Sequence, residues 1–211
     1  MTDSMAVRVS RGGRAGALVI AALALGASSG CVSLYVDNGL RDVQPSEYQR
    51  PQVPQPVQLL FSFKTKGTAN TRATNALKQQ VGDTVTASGL FASVSSEPLA
   101  GGALLSITID NVPVTSEGDA MAKGFGTGLT LGLVGSEVTD GYVCTVDYQA
   151  GPSAPHLTEV AHHAIHATVG AHGAPANSTK AASADVAVKT MARQVVGNAL
   201  KTLAADPQFG H

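Results

Sequence analysis

Residues Leu104–Asp110 read LLSITID, and the class of fold follows from how this stretch alternates. Leu105, Ile107 and Ile109 fall on one side and Ser106, Thr108 and Asp110 on the other. That two-residue period belongs to a strand with one buried and one wetted face. Backwards along the chain, VQLLFSFKT (57–65) repeats the pattern, with Val57, Leu59, Phe61 and Phe63 set against Gln58, Ser62 and Lys64. Between these two strands Ala73, Leu77, Val81 and Val85 recur every four residues, the stripe of a helix packed on one side. Thr68 or Asn70 is available to cap its start, and Gly89 followed by Leu90 suits a left-handed C-cap with an apolar contact behind it. A short strand is predicted over 91–96, before a turn at Pro98, Gly101 and Gly102.

Forwards, YVCTVDY (142–148) places Tyr142, Cys144, Val146 and Tyr148 opposite Val143, Thr145 and Asp147. TEVAHHAIHATVG (158–170) reads as its neighbour, set off by Gly151, Pro152 and Pro155. A last helix starts near Ser183 and runs to about Ala204, with Val188, Met191, Ala192, Val195, Ala199 and Leu203 as its buried stripe. Asp206–Pro207 stops it, because the residue before proline avoids helical geometry. These elements predict an α+β domain in which two helices pack on one face of a sheet of four or five mostly antiparallel strands.

The most unusual part of this domain is GFGTGLTLGLVG (124–135). Its glycines miss the dinucleotide fingerprint, since Leu129 stands where the third glycine belongs, and no Gly-Lys-Ser/Thr closes a phosphate loop. As a helix it would stack Gly124, Gly128 and Gly132 in a line; as a strand it would set Phe125, Leu129, Leu131 and Leu133 on one face. Either way one side is apolar and the other nearly bare. That suits a packed connection inside the fold, or a surface for membrane or partner contact formed by Gly124, Phe125, Gly128, Leu129, Leu131, Gly132 and Leu133.

His162, His163 and His166 invite a metal reading, with His162 and His166 as the ligand pair. On a strand those two share a face but stand ~13 Å apart, too far to grip one ion. No metal and no cofactor is therefore expected. Cys144 alternates with core residues and has only Asp147 as a charged neighbour, the setting of an inert thiol. Ser136 lacks the glycine pattern of a nucleophile elbow, and no paired carboxylates stand out, so no catalytic set is predicted.

The N-terminal stretch Arg8–Cys31, RVSRGGRAGALVIAALALGASSGC, speaks to location. Arg8, Arg11 and Arg14 precede an uncharged run of 11 residues from Ala17 to Ala27, and Ser28, Ser29 and Gly30 lead into Cys31. A spanning helix needs ~20 residues, so this is the layout of a cleaved export signal. With a cysteine directly after the small residues it resembles a bacterial lipoprotein signal, although Ser28 stands where that family prefers Leu, Val or Ile. The resemblance implies cleavage before Cys31 and acylation of its thiol, with palmitate-class chains, and Val32 in place of Asp implies the outer membrane. Removal of residues 1–30 leaves 181 residues carrying 11 basic and 14 acidic side chains, which does not favour nucleic acid. Pro45, Pro51, Pro54 and Pro56 then predict a tether over residues 31–56, extended at ~3.1 Å per residue, ahead of a domain over 57–211. Leu34, Tyr35 and Val36 are the part of it able to pack back.

The order of elements looks like small periplasmic modules of outer-membrane accessory lipoproteins, such as those of lipopolysaccharide assembly, curli secretion and penicillin-binding-protein activation. SGLFASVSS (88–96) and QVVGNALKTLAADPQF (194–209) carry that likeness. It implies a non-enzymatic lipoprotein, anchored in the outer membrane and facing the periplasm, that binds a protein complex or polymer of the cell envelope. The alternative is a structural lipoprotein whose copies assemble, or touch the bilayer, through 124–135.

Overall fold

The computed structural model describes residues 32–114, 125, 137–169 and 174–210. Eight strands form one sheet: β1 (Val32–Asp37), β2 (Val57–Thr65), β3 (Thr68–Ala69), β4 (Val94–Ser95), β5 (Ala103–Val114), β6 (Glu137–Gln149), β7 (His156–Val169) and β8 (Ser178–Ala181). Among the described residues two α-helices accompany them, α1 (Thr71–Ser88) and α2 (Ala184–Ala205). The strand order is β3-β2-β5-β6-β7-β1-β8, with β4 also beside β2.

This corrects the expected sheet of four or five mostly antiparallel strands, while the α+β class and its two helices stand. The sheet is mixed: β2 runs parallel to β5, from Val57 opposite Ala103 to Thr65 opposite Asn111. A parallel pair needs a crossover, and α1 supplies it. The other discrepancy is the number of strands: β3 and β8 are two and four residues long, too short to show a period, and β1 lies in the stretch expected as a tether.

The long central strands form as their alternation predicts. Leu105, Ile107 and Ile109 lie opposite Tyr148, Val146 and Cys144, and Cys144 lies opposite Ala161. Ile107, Ile109, Cys144 and Val146 are at most 1% exposed, packed in one core with Val81 and Val85 of α1 and Met191 and Val195 of α2. Each such aliphatic side chain stabilises the fold by roughly 1.5–3 kcal/mol relative to an exposed position. Asn70 caps α1 by accepting from the Ala73 N–H at 3.0 Å, and Gly89 ends it in the left-handed region at φ 67° with Leu90 buried behind it. Ser183 caps α2 through the Val186 N–H.

The stretch expected as a tether is packed against the domain. Val32–Asp37 is a strand between β7 and β8, with Val32 opposite Val169 and Val36 opposite both Ile165 and Thr179. Beyond it the chain crosses the back of α2: the Tyr48 hydroxyl donates to the Gly197 carbonyl at 3.3 Å, and Arg193 grips Asp42 with two bonds of 2.9 and 3.0 Å. Proline excludes ladder hydrogen bonds but does not prevent docking through side chains, which is how residues 39–51 hold on. Among the described residues no helix is long and apolar enough to cross a membrane.

Candidate functional site

Most residues singled out by sequence for contact lie outside the described residues, namely Cys31, Gly124, Gly128, Leu129, Leu131, Gly132 and Leu133. Phe125 is described, and it is 3% exposed. It packs with Val114 on the sheet face away from the helices, backed by Val112 and Val143. Its ring meets that of His162 edge-on at 5.1 Å. Gly141 makes the room: a Cβ there would lie 2.5 Å from Phe125 Cζ and 2.7 Å from Val114 Cγ2. Phe125 therefore belongs to the protein's second, smaller core.

The histidines sit on β7 as the alternation predicts, with His162 and His166 on one face and His163 on the other. Each finds a different partner. His166 is fully buried and shares a 2.9 Å hydrogen bond between Nδ1 and Thr139 Oγ1, while Asp37 Oδ2 lies 3.6 Å from its Nε2. Asp37 is itself buried, and its Oδ1 accepts the Gly39 N–H at 2.6 Å. His163 faces α2, where its Nε2–H donates to Gln194 Oε1 at 2.8 Å. Burial is the main cause of its lowered pKa, so its ring is neutral near pH 7.

Asp37, His166 and Thr139 bring together the side chains of a hydrolytic triad, but in the wrong order. In such a triad the acid hydrogen-bonds Nδ1 and the nucleophile sits on Nε2, whereas here Thr139 holds Nδ1 and Asp37 faces Nε2. Here the acid stands beyond hydrogen-bond distance, and at 0% exposure His166 meets no solvent from which a substrate could approach. The arrangement ties β1 to β6 and β7. Among the described residues no three His, Cys, Asp or Glu side chains are grouped to hold a metal ion. Cys144 is fully buried, and burial pushes its thiol up to about 12, far from a reactive thiolate.

The feature that sequence reading missed is a groove between α1 and the outer edge of β2. It encloses about 430 Å³, with Leu59, Phe61 and Val94 on the sheet side and Lys78, Gly82 and Asp83 on the helix side. β4 pairs with β2 only at Val57 and Gln58, and β3 only at Lys64 and Thr65, so the strand edge between them borders the groove. One signal pointed here. Gly82 stands inside a helix, where glycine costs about 1 kcal/mol relative to alanine, and a Cβ there would meet nothing within 4 Å.

Fold and site together define a sheet-and-helix module with a closed polar cluster at one end and an open groove at the other. No protein-family model matches the chain, and no curated protein matches it. Among solved structures, similarity extends to the PelC dodecamer from Paraburkholderia phytofirmans, at 13% identity over 82% of this chain and 96% of that one, TM-score 0.33. A Xanthomonas campestris protein of the DUF330 family matches at 13% identity over 72% and 83% of the two chains, TM-score 0.34. A candidate lipoprotein from Caulobacter crescentus matches at 9% identity over 71% and 85%, TM-score 0.28. None of these likenesses is close enough to assign the chain to a family.

Proposed function

We propose that this protein is an exported lipoprotein of the outer membrane, facing the periplasm, that works without catalysis as a binding module for a partner in the cell envelope. The observation that carries the reading is the stretch Arg8–Cys31, with its three arginines, its apolar run and its cysteine after small residues. Acyl chains on Cys31 would supply about 0.8 kcal/mol per buried methylene, and several such chains make a lasting anchor. The fold adds a geometric consequence. Val32, the residue after Cys31, already belongs to β1, so an anchored chain would rest its sheet end on the bilayer with no spacer between.

Assembly of copies through 124–135 is the competing reading. Phe125, the described member of that segment, is buried within its own chain, which favours the binding module. The test is mass spectrometry of the protein recovered from membranes. An N-terminal Cys31 bearing acyl chains, and release into the soluble fraction by Cys31→Ser, is the expected result. An unmodified N-terminus, or membrane retention of the Cys31→Ser variant, would overturn the anchor.

A further inference from the structure

We propose that the groove between α1 and β2 receives an extended segment of a partner polypeptide, which joins the sheet as an added strand beside Phe61. This deepens the binding-module reading and depends on it for the partner's being a protein; it does not depend on the lipid anchor.

The backbone of β2 determines what the groove asks for. Phe63 sends its N–H to Thr74 Oγ1 at 2.8 Å and accepts the Asn70 N–H at 2.8 Å, both on the side away from β5. In a parallel ladder the N–H and C=O of one residue point the same way and those of its neighbours point the other. The N–H and C=O of Phe61 therefore face the groove. Among the described residues no strand pairs with them there, since β4 stops at Gln58 and β3 begins at Lys64. From Leu59 to Phe63 the gap is about 13 Å, room for roughly four extended residues.

Three properties of the walls select the occupant. An amide backbone matches the outward N–H and C=O of Phe61, whereas an acyl chain would bury both unpaired. Leu59, Phe61 and Val94 make an apolar floor, and the open space beside Gly82 takes one apolar side chain of the incoming segment. Lys78 and Asp83 are exposed on the helix wall, and neither is in an ion pair among the described residues. A segment offering an acidic side chain to Lys78 and a basic one to Asp83 complements both. The hollow along the edge of β7 is less suited, because the ammonium on its wall, Lys201, is already held by Glu47 at 2.8 Å.

The test uses the full-length protein, purified from whichever fraction holds it, and a phage-displayed library of random peptides. Peptides enriched on the wild type should bind Gly82→Trp at least tenfold more weakly, because the new ring fills the groove from a position with free space around it. Its thermal midpoint, no lower than wild type, shows that the fold survives. Binding should also slow hydrogen exchange at the Phe61 amide, a signature that a general surface contact would not produce. Equal binding to Gly82→Trp, no enriched peptides, or peptides that leave Phe61 exchange unchanged would overturn the proposal. So would a concentration-dependent dimer of the wild type that Gly82→Trp abolishes, because the occupant would then be a second copy. Cys31→Ser should leave peptide binding intact, so failure of the anchor and failure of the groove read out separately.

Discussion

At the β1 end of the sheet Asp37, Thr139 and His166 are buried together, while at the β2 end the backbone of Phe61 opens onto a groove lined by ordinary side chains. The first region groups an acid, a hydroxyl and an imidazole, a set that suggests chemistry, and the second has no such grouping. Solvent access reverses the assignment. A titratable group closed inside a sheet braces strands, whereas unsatisfied main chain along an open edge can exchange water for a partner.

The contrast can be broken most forcefully at its closed end. Asp37→Ala removes the acceptor of the Gly39 N–H and the carboxylate beside His166. It should cost about 3 kcal/mol in urea unfolding, the scale for losing one partner of a buried polar cluster. An effect below about 1 kcal/mol would mean that the cluster does not brace the fold. Gly141→Val drives a side chain into Phe125 and Val114 and should cost about 2 kcal/mol by overpacking, with Phe125→Ala in the same background relieving part of the loss. Thr139→Val keeps the shape and deletes the hydrogen bond to His166, for about 1 kcal/mol.

Acid should weaken the same end. Burial lowers the pKa of His163 in the folded protein, so as pH falls through its ordinary value of 6.5 the unfolded chain binds a proton that the native state refuses. The stability from a neutral His163 is present above that range and is lost on acidification. Urea midpoints should therefore be lower at about pH 5.5 than at about pH 7.5, and His163→Gln should flatten the difference. At the open end the effects on stability should be the smallest. Lys78→Ala and Asp83→Ala change exposed charges that form no ion pair among the described residues, and should stay within about 0.5 kcal/mol of wild type while altering which peptides bind.

Sequence made the strongly patterned elements legible. The alternation at 104–110 and 142–148, the caps at Asn70 and Gly89 and the start of the last helix near Ser183 each rest on local rules that tertiary packing did not overrule. β1 escaped because VSLYVD sits between an export-type signal and a proline-rich stretch, and its partners β7 and β8 lie more than a hundred residues away. The parallel pairing of β2 with β5 was present in the strand–helix–strand order, since such a connection brings the second strand back in the same direction. The groove had almost no sequence signature. It is made of a gap between two-residue strands and of backbone that every residue type shares, with Gly82 as its one side-chain clue.

Residue-resolved hydrogen exchange on the free full-length protein tests the open edge most directly. The Phe61 amide should exchange far faster than those of Leu60 and Ser62, which point toward β5 and its ladder. Equal protection at all three positions would mean that the chain itself already covers the edge, and the groove would then have no strand to offer a partner.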